Sequence, residues 1–300
     1  MKKGKITGEL KNKSKDLMTV EWKNNQVVMI DQTKLPGKLV FLRYKKYEDV
    51  ARAIERLIVR GAPAIGIAAA FGMSLAAISS KAKTHTALLR DLKIAYDRLR
   101  STRPTAVNLA WALDKIMSVA TSKTNVEDIK KSILLSALNM ATDDITTNKK
   151  LGMNGAGIIG NDEVILTHCN AGSLATVTYG TALGVLRAAN DMGKKIQVIA
   201  TETRPVMQGS RLTAFELDYY NIDVSLIPDT AVGYLMSKGK INRVIVGADR
   251  ILKTGHVYNK IGTYQVAALS KRHNIPFYVA APVSTFDLSS NVNDVVIEER

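Results

Sequence analysis

The chain has 300 residues, 46% hydrophobic and 23% charged, which is typical of a soluble globular protein and sufficient for one large or two ordinary domains. We expect no membrane-spanning helix, because no run of about 18 uninterrupted apolar residues is present. The start, MKKGKITGEL, has no apolar segment behind its lysines and so does not resemble a secretory signal. A single cysteine excludes an internal disulfide and favours the reducing cytoplasm.

The net charge of +15 allows three kinds of partner: nucleic acid, an anionic membrane surface, or a phosphorylated small molecule. Six lysines crowd the first 15 residues, and the other lysines are scattered with few aromatic residues among them. We therefore interpret most of the excess as a solvated surface and predict neither a nucleic-acid nor a membrane partner. A site for an anionic metabolite needs only a few of these charges.

The first part of the chain has a mixed pattern. MTVEWKNNQVVMIDQT predicts two short strands around an Asn-Asn turn, and KLVFLRY predicts a third. Helical periodicity follows over residues 47–59, 64–79 and 85–100, with further helices to about residue 149. The second of these helices is rich in Gly and Ala, so we expect it to be buried.

The second part of the chain has a different sequence pattern, in which short runs rich in β-branched residues alternate with segments long enough for a helix. The runs are EVILTH, IQVIAT, DVSLI, RVIVGAD, FYVAAP and DVVIEE. This alternation predicts an α/β fold with a Rossmann-like parallel sheet, preceded by a smaller domain of antiparallel strands plus helices. We place the two domains at residues 1–149 and 150–300.

The segment GAGIIG, near that boundary, matches the glycine spacing of a dinucleotide-binding loop. The functional motif requires a strand before the glycines and a helix after them. Here the polar stretch TTNKKLGMN precedes them and a predicted strand follows. We therefore interpret GAGIIG as a flexible linker and predict no nicotinamide or flavin cofactor.

Polar residues follow four of the predicted strands. In an open parallel sheet the carboxyl ends of the strands form one edge, where ligands bind. We therefore expect a thiol, three carboxylates, an arginine and several hydroxyls along that edge. They belong to residues 167–170, 201–204, 228–229 and 247–249.

Cys169 ends the first of these strands, before a run of small residues that we interpret as opening a helix over 174–189. Free amides at a helix start lower the pKa of a thiol and also bind anions. The alternative is an inert buried cysteine. A Cys–His pair is disfavoured, because His168 is the adjacent strand residue and is expected to point to the opposite face.

Asp249 ends the VIVGAD strand, where an apolar pocket would raise its pKa and suit it to general acid or base chemistry. The alternatives are a helix cap or an ion pair with Arg250 or Lys253. Asp229 precedes a helix-like run, so we interpret it as a cap.

Arg60 and Arg103 each precede a segment with Gly or Pro, and each is either a phosphate ligand or a surface arginine. Neither a metal site nor a nucleotide P-loop is predicted. The histidines lie far apart, no second cysteine joins them, and no glycine-rich loop leads into Lys-Ser or Lys-Thr.

Six long motifs, in this order, resemble the methylthioribose-1-phosphate isomerase family: RGAPAIG, RPTAVNL, THCNAGSLATVTYGTALG, TETRPVMQGSRLTAFEL, IPDTAVGYLM, and VGADRI followed by NKIGTYQVA. The wider superfamily of initiation factor 2B alpha/beta/delta-like proteins also contains ribose-1,5-bisphosphate isomerases and regulatory subunits of the translation initiation factor. The resemblance extends from about Met18 to the end. Relatives usually continue beyond the point where this sequence stops.

The resemblance implies a role for nine residues. Cys169 and Asp249 correspond to the family's catalytic pair. The implied substrate-binding residues are Arg60, Gly61, Ala62, Arg103, Gln208, Asn259 and Lys260.

The implied activity is the conversion of 5-methylthioribose 1-phosphate to 5-methylthioribulose 1-phosphate in methionine salvage, without a metal or organic cofactor, by a cytoplasmic homodimer. Our hypothesis is that Asp249 acts as general acid and then as base, while Cys169 either assists hydrogen transfer between the first two carbons or stabilises the charge that develops. Hydride and proton transfer both stay open. The alternatives are a ribose-1,5-bisphosphate isomerase and a non-catalytic regulatory subunit.

Overall fold

The structure, a computed structural model, describes residues 16–296. It begins with an antiparallel sheet of β1 (Val20–Lys23), β2 (Gln26–Ile30) and β3 (Phe41–Tyr44), in that spatial order. Asn24 and Asn25 connect β1 and β2 with φ values of 52° and 54°. Asparagine tolerates this left-handed conformation, so the Asn-Asn hairpin is confirmed.

A helical bundle follows. Its members are α1 (Tyr47–Glu55), α2 (Ala62–Ser79), α3 (His85–Arg100), α4 (Val107–Thr121) and α5 (Val126–Ala156). Helix α2 lies at the centre, and its side chains from Ala64 to Ala77 are all buried, which confirms the expectation for the Gly/Ala-rich helix. Although α2 is long and apolar enough to cross a membrane, the other helices enclose most of it.

The remaining strands form two sheets. They are β4 (Glu163–Thr167), β5 (Ile196–Thr201), β6 (Asp223–Ile227), β7 (Arg243–Val246), β8 (Arg250–Leu252), β9 (Val257–Tyr258), β10 (Phe277–Val279) and β11 (Phe286–Asp287). The large sheet is wholly parallel, in the order β10-β7-β4-β5-β6. The small sheet has the order β11-β8-β9.

Helices cover both faces of the large sheet. They are α6 (Ala182–Asp191), α7 (Ala214–Tyr219), α8 (Val232–Ser237) and α9 (Thr263–Arg272). Successive residues of β4 enter different cores, since Ile165 packs with α6 residues and Leu166 with residues of α8 and α9. The predicted fold class, a Rossmann-like parallel sheet behind a smaller antiparallel sheet with helices, is confirmed.

Helix α5 passes through the predicted domain boundary at residues 149 and 150 without interruption. The interpretation of GAGIIG as a flexible linker is wrong at its start, because Gly155 lies inside α5 and Gly157 caps it. A Cβ on Gly155 would lie 2.4 Å from a methyl of Val185, so the glycine lets α5 pack closely on α6. The division into two domains therefore stays a prediction.

The predicted last strand, DVVIEE, lies partly outside the described residues. Its described part, which ends at Val296, is a 3₁₀ turn followed by unpaired chain.

Candidate active site

The candidate site lies where the strand order of the large sheet reverses. From the central strand β4, the chain builds outward through β5 and β6 on one side and through β7 and β10 on the other. In such sheets a crevice opens outside the carboxyl ends of the two strands at this switch point. Cys169 follows β4 and Asp249 follows β7, so the two side groups come from neighbouring strands at that crevice.

Cys169 has a left-handed backbone with φ of 65°, which is uncommon for a residue with a side chain. Hydrogen bonds hold this conformation on both sides: its N–H donates to Thr203 Oγ1 at 2.9 Å, and its C=O accepts from Thr213 Oγ1 at 2.6 Å. The residue is 8% exposed. Two threonines from the segment after β5 thus determine where the thiol points.

The helix predicted to start just behind Cys169 does not form there, because α6 begins only at Ala182. The intervening loop contains a 3₁₀ turn, Ser173–Ala175, and an antiparallel bridge between Gly172 and Gly180. The predicted lowering of the thiol pKa by a helix start is therefore wrong. Burial raises the pKa of Cys169, and the charges of Arg60 and Lys260 oppose that effect.

Asp249 remains solvent-exposed, and its N–H donates to Tyr258 O at 2.9 Å. Desolvation of the carboxyl by the surrounding protein nevertheless raises the pKa of Asp249, against the opposing charges of three cations: Lys260, Arg60 and Arg103. The Asp249 charge in turn raises the pKa of Cys169, so the two groups interact across the crevice.

The alternative partner proposed for Asp249, Arg250, instead lies 3.5 Å from a carboxylate oxygen of Asp287 and donates to Thr105 O. Arg60, Arg103 and Lys260 come from three separate segments, before α2, between α3 and α4, and between β9 and α9. The fold therefore brings three cations around one thiol and one carboxylate. Clustered cations of this kind suit a phosphate group.

Arg60 is anchored on the residue after the cysteine. Its guanidinium donates to Asn170 O at 3.0 and 3.2 Å and also to Asn170 Oδ1. Gly61 has φ of 97° and lies so close to Ala175 that a Cβ would come within 2.4 Å of the Ala175 Cα. Only glycine suits this position, where the bundle meets the 168–181 loop. Ala62 then begins α2.

Two of the implied ligand residues have less direct links to Cys169 and Asp249. Gln208 is buried beside a π-helical turn, Gly209–Thr213, and its Oε1 has no hydrogen-bond partner within residues 16–296. Asn259 donates to Thr263 Oγ1 at 3.1 Å, which ties it to the start of α9. The charge of its neighbour Lys260, like that of Arg60, reaches both the thiol and the carboxyl.

His168 supports the Lys260 segment. Its ring nitrogens lie 2.7 Å from Thr201 Oγ1 and 2.7 Å from Ile261 O, so both are engaged away from the thiol. Burial lowers the pKa of His168, which keeps the ring neutral. Gly262, with φ of 97°, packs on the imidazole, where a Cβ would lie 2.8 Å from Cε1.

No sequence pattern singled out Glu216. Its carboxylate is 1% exposed and accepts from Asn170 Nδ2, Ser173 N and Leu174 N at 2.8, 2.6 and 3.1 Å. The available signal was a lone carboxylate in the apolar run AFEL, which places it on a buried helix face.

Asp229 is not the helix cap that we expected. Its carboxylate crosses to the neighbouring segment and accepts from the N–H groups of Thr203 and Arg204 at 2.8 and 2.7 Å. Asp229 therefore holds the loop that carries Thr203, the acceptor of the Cys169 N–H.

Within residues 16–296, no group of three or more His, Cys, Asp or Glu side chains is arranged to hold a metal ion. The cationic groups at the crevice are instead suited to an anionic organic ligand.

A parallel sheet with charged groups gathered at its switch point defines an α/β protein with a ligand-binding crevice. The chain belongs to the initiation factor 2 subunit family, whose sequence model matches residues 58–300. It is 50% identical over 285 residues to the methylthioribose-1-phosphate isomerase of Geobacter metallireducens, an alignment that covers 94% of this chain and 82% of the relative.

Two solved structures are also similar. The 5-methylthioribose 1-phosphate isomerase of Pyrococcus horikoshii OT3 has a TM-score of 0.89 and 44% identity, with 98% of this chain and 84% of that chain covered. The translation initiation factor eIF-2B subunit delta of A. fulgidus has a TM-score of 0.85 and 50% identity, with coverage of 95% and 83%.

Proposed function

We propose that this chain is an isomerase that converts 5-methylthioribose 1-phosphate to 5-methylthioribulose 1-phosphate, a step of methionine salvage. The convergence of Cys169 and Asp249 with three cationic side chains at one crevice is the observation that carries the proposal. The names of the relatives from Geobacter metallireducens and Pyrococcus horikoshii support it, because each aligns with more than nine-tenths of the chain.

The first chemical step is ring opening. The phosphate on the anomeric oxygen prevents an ordinary opening to a free aldehyde, so the bond from C1 to the ring oxygen breaks while the ester stays in place. Protonated Asp249 donates its proton to that ring oxygen, and positive charge develops at C1. A raised pKa favours this protonated form, and a bound phosphate dianion raises the pKa further by offsetting the three cations.

The second step moves hydrogen from C2 to C1. As a hydride it carries its electron pair to C1, while the proton of the C2 hydroxyl passes to the Asp249 carboxylate. C1 is then reduced and C2 oxidised to the ketone, so no external oxidant is required and the acid is regenerated. The Cys169 thiol, held neutral by burial, assists this transfer as an uncharged polarisable group beside the reacting carbons.

The direct test is to incubate the protein with 5-methylthioribose 1-phosphate and follow the ketose by NMR. We expect Cys169→Ser and Asp249→Asn each to lower kcat by about 10²- to 10⁴-fold with little change in Tm. Asp143→Asn, the same substitution at an exposed residue of α5, serves as the control and keeps full activity. Absence of turnover by the unmodified protein, or full activity in both site variants, would refute the proposal.

The likeness to the A. fulgidus subunit delta favours one second candidate, a non-catalytic regulatory subunit. The same assay separates the two, since a regulatory subunit has no turnover and does not need Cys169 or Asp249. Ribose 1,5-bisphosphate belongs in the assay as a competing substrate. We expect a lower kcat/KM for it, because its second phosphate would take the place of an uncharged methylthio group.

We also propose that the protein is a cytoplasmic homodimer joined through its second part. Large apolar side chains are exposed on consecutive segments around β9, α9 and β11, among them Tyr264 at 88% and Val283 at 83%. Apolar surface of this kind is usually covered by a partner. Sedimentation velocity should give twice the chain mass, and Tyr264→Glu with Leu288→Glu should give the monomer. A monomeric unmodified protein would refute this assembly.

A further inference from the structure

The buried carboxylate of Glu216 is connected to Arg60 through one side chain, Asn170. Asn170 Nδ2 donates to Glu216 Oε1 at 2.8 Å and to Thr213 Oγ1 at 3.2 Å. On its other side, Asn170 accepts from the Arg60 guanidinium through both its side-chain and its main-chain oxygen. The path thus runs from a buried anion, through one amide, to a cation at the crevice.

The chemistry of the amide allows only one orientation here. A side-chain amide has a donating NH₂ end and an accepting oxygen end. A carboxylate only accepts and a guanidinium only donates, so the NH₂ end has to face Glu216 and the oxygen end has to face Arg60. The charge of Glu216 therefore determines which atom of Asn170 Arg60 meets.

The backbone around Glu216 closely surrounds its carboxylate and supplies hydrogen-bond donors to it. Ser173 N and Leu174 N donate to its two oxygens, and a Cβ on Gly172 would lie 2.3 Å from Oε2. Three donors and one tightly packed glycine therefore surround the carboxylate. A group that accepts fewer hydrogen bonds would leave a buried donor unsatisfied, which is costly.

The hydrogen bonds to Asn170 do not use every donor of the Arg60 guanidinium. Its two terminal nitrogens bond to Asn170, while its Nε is buried and has no hydrogen-bond partner within residues 16–296. The Arg60 charge also acts on Cys169 and Asp249. If Asn170 were displaced, the Arg60 guanidinium would therefore move with it, and its charge would act differently on both Cys169 and Asp249.

We propose that Glu216 is a positioning residue which, through Asn170, holds Arg60 in place to bind the phosphate of the substrate. This rests on the proposed function, in which the substrate phosphate offsets the charge of Arg60 together with those of Arg103 and Lys260. Glu216 itself is buried beneath the loop and acts through its neighbour.

The test compares Glu216→Gln with a reciprocal double variant, Glu216→Gln with Asn170→Asp. In the single variant the new amide cannot accept all three hydrogen bonds, so Asn170 loses its fixed orientation. In the double variant the carboxylate moves to position 170, where it accepts from the amide now at position 216 and from Arg60, and the local net charge is restored. Glu163→Gln, at the amino end of β4 in an ion pair with Arg243, is the matched control.

Three quantities are measured for each protein: the affinity for inorganic phosphate by calorimetry, kcat and KM for the sugar phosphate, and Tm. We expect Glu216→Gln to weaken phosphate binding by about 10- to 100-fold and to raise KM similarly. The double variant should recover most of that loss, and Glu163→Gln should bind phosphate normally.

Unchanged phosphate affinity in Glu216→Gln would overturn the proposal. Equal losses in the single and double variants, in step with Tm, would also overturn it, because a purely structural role predicts no rescue. Phosphate binding needs no turnover, so the outcomes are separable. Glu216-dependent phosphate binding without isomerisation refutes the proposed function alone, and isomerisation that does not depend on Glu216 refutes the positioning role alone.

Discussion

Two opposing effects act on the pKa of the Cys169 thiol. Burial raises the pKa, while the positive charges of Arg60 and Lys260 lower it. The sequence predicts a site for this residue at a strand end, and the structure agrees with that position. The direction of the pKa shift was predicted wrongly, because it depends on where α6 begins and on cations from distant segments.

Replacing Lys260 with Met tests this balance of charges. The change removes a cation that favours the thiolate, so we expect the pKa of the Cys169 thiol to rise. Because the chain has one cysteine, the rate of iodoacetamide alkylation against pH reports this thiol alone. The midpoint of that profile should move upward in Lys260→Met and stay unchanged in Lys253→Met, an exposed lysine of the β8–β9 turn. An unmoved midpoint in Lys260→Met would show that its charge does not reach the thiol.

Among the elements, α2 and α4 pack closely beside the segment that carries Arg103. Gly66 of α2 lies against α4, where a Cβ would come within 2.9 Å of Asn108 O. Arg103 belongs to the short connection that leads into α4.

Gly66→Ala should push these two helices apart. Alanine favours a helix by about 1 kcal/mol over glycine, but overpacking against a rigid carbonyl costs about 1–3 kcal/mol, so we expect net destabilisation. Gly233→Ala in α8 is the matched control, since its Cβ would meet only the two Leu269 methyls, at 3.4 and 3.6 Å. Urea denaturation should show a loss for Gly66→Ala and little change or a gain for Gly233→Ala. If both substitutions increased the free energy of unfolding, α4 would be able to move away from position 66 at little energetic cost, contrary to this prediction.

Across the whole molecule, Asp144 links the helical bundle to the loop of the second part. It lies on α5, and its carboxylate accepts from Val177 N at 2.8 Å. Burial raises the pKa of Asp144 to about 6. A pKa raised in the folded state means that this group stabilises the fold when protonated and loses that contribution as the pH rises through about 6.

Asp144→Asn should therefore stabilise the protein at pH 7.5, since Asn cannot ionise and still accepts from Val177. A shift of about two pKa units corresponds to roughly 3 kcal/mol, and we expect about 1–2 kcal/mol because the residue is partly exposed. Denaturation at pH 7.5 and pH 4 checks the sign, as the gain should shrink at the lower pH. Asp143→Asn, one residue earlier and exposed, should change little at either pH. A loss of stability at pH 7.5 would contradict this account of Asp144.

Local patterns in the sequence were sufficient for the α/β class, the Asn-Asn hairpin, the buried α2 and the position of Cys169 and Asp249 at strand ends. These features depend on periodicity and turn chemistry within a few residues. Only the tertiary structure decided that α5 runs through the expected linker, that Cys169 precedes a loop rather than a helix, and that Glu216 lies beneath Asn170. The physical reason is that burial and charge act between residues far apart in the chain: Arg60 meets Asn170 across 110 positions, and no local pattern records that contact.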